Sequence, residues 1–129
     1  MKTSIVLYGS VAAGSTQTIR SKRIGYPFRL RKMTILFPVG SDFDLAVYPI
    51  VSNDKTVPTG AVPQGQNILE MLGNVTSLSG TAEKVAMEMD IKFTERSMWL
   101  KAYLVNGDGV YSHNIKLTYE IEAIEIGEK

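Results

Sequence analysis

His113 is the only histidine of this 129-residue chain, and the chain contains no cysteine. Zinc sites and most nucleophilic catalytic sites combine an imidazole with further histidines, a thiolate or an activated hydroxyl, and no such motif accompanies His113. The sequence therefore predicts a protein that is not an enzyme, that binds no cofactor and that has no metal site built on histidine or cysteine. Because His113 follows the Asp108-Gly109 turn, we expect it to be an exposed histidine at the start of a strand.

Loop carboxylates and amides form a second group with ligand chemistry. Their oxygens are the ligands that calcium prefers, but their spacing matches no EF-hand loop. Asp and Asn also favour turns, because their side chains bond to the nearby backbone. The sequence leaves open whether these residues bind a cation or only shape loops. They are Asp42, Asp44, Asn53, Asp54, Asn106 and Asp108.

Charge is unevenly distributed along the chain. Residues 1–41 contain seven basic and no acidic side chains, whereas residues 42–129 contain seven basic and thirteen acidic ones, so the net charge of +1 is the sum of +7 and −6. Such asymmetry usually indicates a nucleic acid, a membrane surface or a partner of complementary charge. The basic residues lie in sequence typical of strands and not in a flexible arm, which favours a protein surface.

The basic segment has three interpretations. Its side chains could pair with acidic side chains on neighbouring strands, each pair contributing about 0.2 to 1 kcal/mol. They could line a nucleic-acid groove, although the acidic remainder of so small a domain would oppose a polyanion. They could instead meet an acidic edge of a neighbouring subunit and fix its register. The basic residues are Arg20, Lys22, Arg23, Arg29, Arg31 and Lys32, and the acidic candidates are Glu88, Asp90, Glu120, Glu122 and Glu125.

The segment from Ser97 to Val105 is largely apolar on both of its alternate faces. One face should line the core. The other presents Trp99 and Tyr103 around Lys101, and Trp and Tyr are enriched in interface cores. Three uses of this aromatic strip stay open: burial beneath a loop, a subunit interface, or a platform on which sugar rings stack.

Alternation of apolar and polar residues predicts strands along most of the chain. The period of two is clearest from Val85 to Phe93 and from Ile115 to Glu122. A phase slip near Arg31 predicts that the run from Phe28 to Phe37 bends between two sheets. The other predicted strands are Ser4 to Tyr8, Gln17 to Ile24, Phe43 to Val51, Val75 to Leu78 and Ser97 to Val105.

Glycine-containing segments predict the connections. Asn106-Gly107-Asp108-Gly109 and Ala12-Ala13-Gly14-Ser15 can supply the positive φ angles of tight hairpins, and Gly25-Tyr26-Pro27 is expected to join two further strands. Asn67 and Gly73 have the residue types of an N-cap and a C-cap, which predicts one short helix near residues 67–72. Residues 53–66, with two prolines and two glycines, are predicted to form a long surface loop.

These elements predict one all-β domain spanning residues 1–129. We expect an antiparallel two-sheet sandwich of about eight strands with jelly-roll or Greek-key connections. The N-terminus has an apolar run of only four residues, and no segment approaches the roughly 18 apolar residues of a membrane helix. The sequence therefore predicts a protein made in the cytoplasm without a signal peptide and without a membrane partner.

As a whole, the chain resembles in style the small β-sandwich proteins of phage and viral particles, such as capsid-decorating and minor capsid proteins. The polarised charge, the apolar segment Ser97 to Val105 and the long Pro/Gly loop carry this resemblance, which includes no diagnostic motif. It implies a structural virion protein that forms homo-oligomers, with trimers as the expected form, and that contacts a capsid or another protein lattice.

The alternative from another class is a carbohydrate-binding module, because jelly-roll sandwiches commonly bind glycans through exposed aromatic rings and loop polar groups. Its candidate residues are Trp99, Tyr103, Asp42, Asp44, Asn106 and Asp108.

Overall fold

Alternating apolar residues form nine strands in the part of the chain that the computed structural model describes, residues 2–58, 61–73 and 75–124. One four-residue helix interrupts them, and no helix of this part is long and apolar enough to cross a membrane. The elements are β1 (Lys2–Val11), β2 (Thr16–Arg20), β3 (Phe28–Leu36), β4 (Leu45–Ser52), β5 (Gln66–Asn67), α1 (Ile68–Met71), β6 (Leu78–Ser79), β7 (Lys84–Phe93), β8 (Trp99–Asn106) and β9 (His113–Ala123).

The strands form two antiparallel sheets. Sheet I has the order β1-β9-β3-β7, and sheet II has the order β2-β8-β4-β5, with β6 also paired to β4. The long strands therefore enter the two sheets alternately along the chain, as in a jelly roll. The predicted all-β, two-sheet sandwich with one short helix is confirmed.

The alternation between sheets corrects two predicted hairpins. The segments around Gly14 and Asp108 each join a strand of one sheet to a strand of the other, so neither closes a hairpin, whereas Gly25-Tyr26-Pro27 lies between β2 and β3 as expected. Gly14 does adopt a positive φ of 66°. Glycine indicates that the chain turns at this position, but it does not determine which of the two sheets the next strand joins.

Strand β3 contains the predicted phase slip as a bulge. Leu30 is paired with Ile121 on β9, whereas Lys32 is paired with Glu120, which leaves Arg31 as an extra residue. A bulge changes the phase of a strand without removing it from the sheet. Because β3 stays in sheet I on both sides of Arg31, the predicted bend between two sheets is wrong.

The core lies between the two sheets. The inward side chains of β3, β8 and β9 are almost completely buried, and Phe28 packs against Phe93 with ring centroids 5.2 Å apart. Tyr119 of β9 donates a hydrogen bond from its hydroxyl to the Lys101 carbonyl of β8 at 3.0 Å. Burial raises the pKa of the Tyr119 phenol. This bond therefore links the two sheets through a group that stays protonated.

Helix α1 and the loop before it lie beside β4. Asn67 caps the helix by accepting hydrogen bonds from the backbone N–H groups of Leu69 and Glu70, which confirms the predicted N-cap. The loop returns to sheet II at Gly65, whose φ is +146°. A Cβ atom there would lie 2.6 Å from the Val51 carbonyl oxygen. Glycine is therefore required where the loop meets β4.

Candidate functional site

The outer face of sheet I is uncovered, because no helix or strand of the described residues packs over it. Strand register arranges its outward side chains in four rows across β1, β9, β3 and β7. Two rows are rich in charge, and two contain mainly apolar, hydroxyl and lysine side chains. The rows are Lys2, Glu122, Arg29 and Lys92; Ser4, Glu120, Lys32 and Glu88; Val6, Thr118, Thr34 and Ala86; and Tyr8, Lys116, Leu36 and Lys84.

Arg29 and Arg31 share one carboxylate at the charged end of this face. Their Nη1 atoms lie 3.2 Å and 3.3 Å from Asp90 Oδ1 on β7. Arg31 is two residues from Arg29 and therefore lies on the same face of β3, and the bulge at Arg31 places Lys32 on this face as well. The predicted cross-strand pairing therefore occurs for part of the basic segment, with all three side chains still accessible to solvent.

The same end of sheet I contains further opposite charges. Lys2 Nζ lies 3.7 Å from Glu120 Oε1, and Lys32 lies between Glu120 and Glu88 in the register. Glu125, the third member of the predicted acidic row, lies outside the described residues. Exposed pairs contribute about 1 kcal/mol or less to stability. Charges of both signs are consequently available here to meet another molecule.

Arg20, Lys22 and Arg23 lie apart from the other basic residues, on the edge of sheet II. Arg20 Nη1 donates to the Lys55 carbonyl at 2.6 Å, and Arg23 Nη1 donates to Ser97 Oγ at 3.0 Å. Among the described residues Lys22 has no ion-pair partner. The structure therefore divides the predicted basic segment between two surfaces, one on each sheet.

The predicted aromatic strip lies on the outer face of sheet II. Trp99 and Tyr103 are each partly buried, and Lys101 between them is completely buried. Lys101 Nζ donates to the Thr56 carbonyl at 2.9 Å, and desolvation lowers the pKa of its ammonium group. The loop therefore covers the middle of the strip, and the two aromatic residues do not form one continuous exposed surface.

A cleft of about 400 Å³ opens beside this covered segment. Tyr103 lines it together with Tyr48, and the two ring centroids are 5.6 Å apart. Glu70 of α1 and Pro63 of the loop also line the cleft, whereas Trp99 does not. An aromatic pair with a nearby carboxylate is chemically suited to stack on and hydrogen-bond a polar ring.

Asn106 and Asp108 have structural roles in the connection between the sheets. The Asn106 amide donates to the carbonyls of Val11 and Tyr111 at 3.1 Å and 3.0 Å. Asp108 Oδ1 accepts the Val110 N–H at 2.9 Å, and Oδ2 lies 3.0 Å from His113 Nε2. These bonds lower the pKa of the Asp108 carboxyl. His113 is only 7% exposed, so the expectation of an exposed histidine is wrong.

The other predicted loop ligands lie on two separate loops, and the backbone carbonyl of Asp44 accepts the Gly107 N–H at 2.8 Å beside the Asn106–Asp108 turn. Asp42 and Asp44 are exposed at the end of sheet II, and Asp42 has a φ of +47°. Asp54 Oδ1 accepts the Thr56 hydroxyl at 3.0 Å, and this bond lowers the pKa of the Asp54 carboxyl. Within the described residues, no group of three or more His, Cys, Asp or Glu side chains could hold a metal ion.

Sequence reasoning missed the free edge of β1. This strand pairs with β9 over all ten of its residues, and no strand of the described part pairs with its other side. Ser10 donates its N–H to the Gln17 side chain and not to β9, so the alternation of an antiparallel ladder directs the backbone groups of Ser4, Val6 and Tyr8 outward as well. The sequence feature that could have indicated this free edge is a ten-residue strand in which Lys2 is the single charged residue.

Comparison with solved structures identifies proteins that share the fold. The Yersinia pseudotuberculosis-derived mitogen matches 100% of this chain and 92% of its own, with a TM-score of 0.51 and 8% identity. A chain of the cowpea mosaic virus empty virus-like particle matches over 98% of this chain and 81% of its own, with a TM-score of 0.52 and 4% identity. A chain of the naturally occurring empty particles of the same virus gives a TM-score of 0.51 at 4% identity, covering 98% and 84%.

No family model matches the sequence, and no curated protein matches it. The structural likeness covers nearly the whole chain and confirms, at the level of the fold, the predicted resemblance to proteins of viral particles. The fold is shared with a protein described as a mitogen as well as with chains of viral particles, so the choice among functions depends on the surfaces of this chain.

Proposed function

We propose that this chain, as one β-sandwich domain spanning residues 1–129, is a non-enzymatic structural subunit of a virion. In this proposal it associates with copies of itself, with a trimer as the expected form, and contacts a capsid or another protein lattice. The likeness to cowpea mosaic virus particle chains supports a fold suited to that role. The interface residues proposed are Arg20, Lys22, Arg23, Arg29, Arg31, Trp99 and Tyr103.

The uncovered outer face of sheet I is the observation that carries the proposal. At one end it exposes Tyr8 by 70%, Leu36 by 48% and Val6 by 43%. At the other end it carries the charges around Asp90. Apolar residues beside a charged rim are the composition of protein–protein interfaces, in which the apolar part supplies affinity and the charges supply register.

The two aromatic residues of sheet II lie on the opposite outer face of the sandwich, so in this proposal they belong to a second, smaller contact. Trp99 and Tyr103 are separated by Lys101, which the loop buries. We therefore place the main subunit contact on sheet I, with Arg29 and Arg31 inside it. The edge with Arg20, Lys22 and Arg23 adjoins the contact at the β1 side of the sandwich.

Light scattering coupled to gel filtration tests the proposal through the molar mass of the protein. The expected result is a mass three times that of the chain, falling on dilution. Tyr8→Lys should weaken self-association about tenfold or more, because truncating or charging an interface anchor costs about 2 kcal/mol. Val62→Lys is the matched control, since Val62 is 65% exposed on the loop side of the molecule.

A monomer at the highest concentration reached, in both low and high salt, would contradict the proposal. Equal weakening by Val62→Lys would show that the contact is not on sheet I.

One observation favours carbohydrate binding as a second function, namely the cleft with Tyr48 and Tyr103. Of the six residues considered for a glycan site, only Tyr103 lines this cleft. A glycan array probed with the wild type, Tyr48→Ala and Trp99→Ala tests this function. Binding lost in Tyr48→Ala and kept in Trp99→Ala would support it, and no binding by the wild type would reject it.

A further inference from the structure

The open edge of β1 forms one wall of a groove of about 410 Å³ between the two sheets. Its apolar lining residues include Ile5 and Ile24, and the side that faces β1 is formed by residues 20–24 and by Tyr26. β1 supplies unpaired backbone donors and acceptors at Ser4, Val6 and Tyr8. A groove with apolar lining residues and one strand edge has the shape that an added strand requires.

The wall facing β1 is basic. Arg20, Lys22 and Arg23 all line the groove, and no acidic side chain is among its described lining residues. Arg20 and Arg23 donate to a backbone carbonyl and to a serine hydroxyl, which are both uncharged acceptors. The groove therefore combines strand-pairing groups with uncompensated positive charge.

We propose that this groove binds an extended acidic peptide segment of a neighbouring protein chain, which adds to sheet I as a fifth strand beside β1. Backbone hydrogen bonds to Val6 and its neighbours give affinity, alternate apolar side chains rest on Ile5 and Ile24, and acidic side chains meet Lys22. The source of the segment rests on the proposed role in a particle, but binding of the segment to an isolated subunit does not.

The charge of the groove favours an acidic segment over a β1 strand from a second copy of this chain. Antiparallel pairing of two β1 strands would bring together two edges that each carry Lys2 and the basic wall, with no acidic residue on either strand. Like charges that face each other across a strand pair are destabilising. An acidic segment removes this repulsion, which favours a heterologous partner.

The edge residues of β1 support the same conclusion. Natural sheet edges are usually protected by charges, prolines or bulges. β1 runs for ten residues with Lys2 as its single charge, with no proline and with continuous register against β9. An edge of this length that lacks these protections is expected to acquire a strand partner.

The test uses a fluorescent synthetic peptide of alternating valine and threonine with three glutamates, and a second peptide with lysines in their place. Fluorescence anisotropy measures affinity for the isolated subunit. We expect the acidic peptide to bind and the lysine peptide not to bind. Val6→Pro should weaken binding about tenfold or more, because proline removes the outward N–H and is tolerated on an edge strand.

Lys22→Glu is the second variant, and it keeps the backbone intact. It should weaken binding of the acidic peptide about two- to fivefold, as expected for one partly exposed ion pair. Lys84→Glu is the matched control, since Lys84 is an exposed lysine on the opposite edge strand of sheet I; it should leave the affinity unchanged. NMR amide shifts should locate the peptide at Ser4, Val6 and Tyr8.

Absence of binding by the acidic peptide would overturn the inference, as would equal binding of the two peptides. Protection of the β1 amides in a peptide-free dimer would instead identify a second copy as the occupant and would also overturn it. A monomer that binds the acidic peptide as expected would leave the groove assigned while rejecting self-assembly, so the two proposals fail separately.

Discussion

The two outer faces of the sandwich differ in what covers them. Sheet II is covered by the loop at Thr56, which accepts a hydrogen bond from the buried Lys101 ammonium. Sheet I has no described element over it and presents Tyr8, Leu36 and the arginines that share Asp90. The outer face of sheet II thus buries its Lys101 ammonium within the chain, whereas the outer face of sheet I leaves charge and apolar area available. For this reason we place the proposed contact with another molecule on sheet I.

The largest expected effect is a loss of stability on the outer face of sheet II, which the loop around Thr56 covers. Lys101→Ala should lower the free energy of unfolding by about 2 to 4 kcal/mol, because it leaves a cavity and an unpartnered Thr56 carbonyl. Lys101→Met should cost about 1 kcal/mol or less, since it keeps the volume and removes a buried charge. Lys116→Ala on sheet I is the control, with an expected cost of about 0.5 to 1 kcal/mol for the contact with the Tyr8 ring at 5.8 Å.

Urea unfolding of dilute protein measures these differences. Similar losses for Lys101→Ala and Lys116→Ala would show that the two faces do not differ in how they hold a lysine.

The lowered pKa of Lys101 gives the next effect, a dependence of stability on pH. Its ammonium has a lower pKa in the folded protein than the ordinary 10.5, so the unfolded chain binds more protons between the two values. Stability should therefore rise as pH increases from the lowered pKa towards 10.5. The raised pKa of Tyr119 has the opposite effect above pH 10, so the melting temperature should be followed below that value.

Lys101→Met is the control for this dependence, because it removes the titrating group. If the melting temperature of Lys101→Met increased with pH by the same amount as that of the wild type, other residues would cause the pH dependence.

Reversing the charge of Arg29 and Arg31 on the outer face of sheet I should affect self-association more than stability. Arg29→Glu with Arg31→Glu should weaken self-association about tenfold and leave the fold intact, with a loss of about 1 kcal/mol from the pairs with Asp90. Lys55→Glu, an exposed change on the loop of sheet II, should leave association unchanged. Sedimentation equilibrium in low and high salt measures both. Unchanged assembly of the double variant would mean that the arginines are only solvated.

The smallest effect comes from Thr18, whose buried Oγ1 has no hydrogen-bond partner among the described residues. It lies on the outward side of β2, opposite Tyr103. Thr18→Val should raise the free energy of unfolding by about 1 kcal/mol, because it removes an unsatisfied polar atom without changing the volume. Thr118→Val on sheet I should change it by about 0.5 kcal/mol or less. A loss of stability in Thr18→Val would indicate an unseen partner for the hydroxyl.

Much of the fold could be predicted because strand burial leaves a period of two in the sequence. Val85 to Phe93 alternates as expected, and the Asn67 cap was visible from its residue type. The phase slip at Arg31 was visible as well, but it indicated a bend between sheets where the structure has a bulge within one sheet. The choice of sheet for each strand could not be predicted. Gly14 and Asp108 mark turns, but residue type does not say whether the following strand pairs with the previous one.

The surfaces were predicted less well, because exposure depends on distant residues. His113 and Lys101 are buried by contacts with Asp108 and Thr56, and neither contact follows from a local pattern. The six basic residues of one short segment are divided between two sheets for the same reason. The open edge of β1 could have been noticed in the sequence as a long strand almost without charge.

Hydrogen exchange of the assembled protein against the diluted monomer tests the central claim most directly, because it reports which backbone amides assembly protects. We expect the largest slowing of exchange on β3 and β9 of sheet I, with little change on β4 and β8 of sheet II. Slowing confined to β4, β8 and the loop around Thr56, with β3 and β9 unchanged, would contradict the proposal.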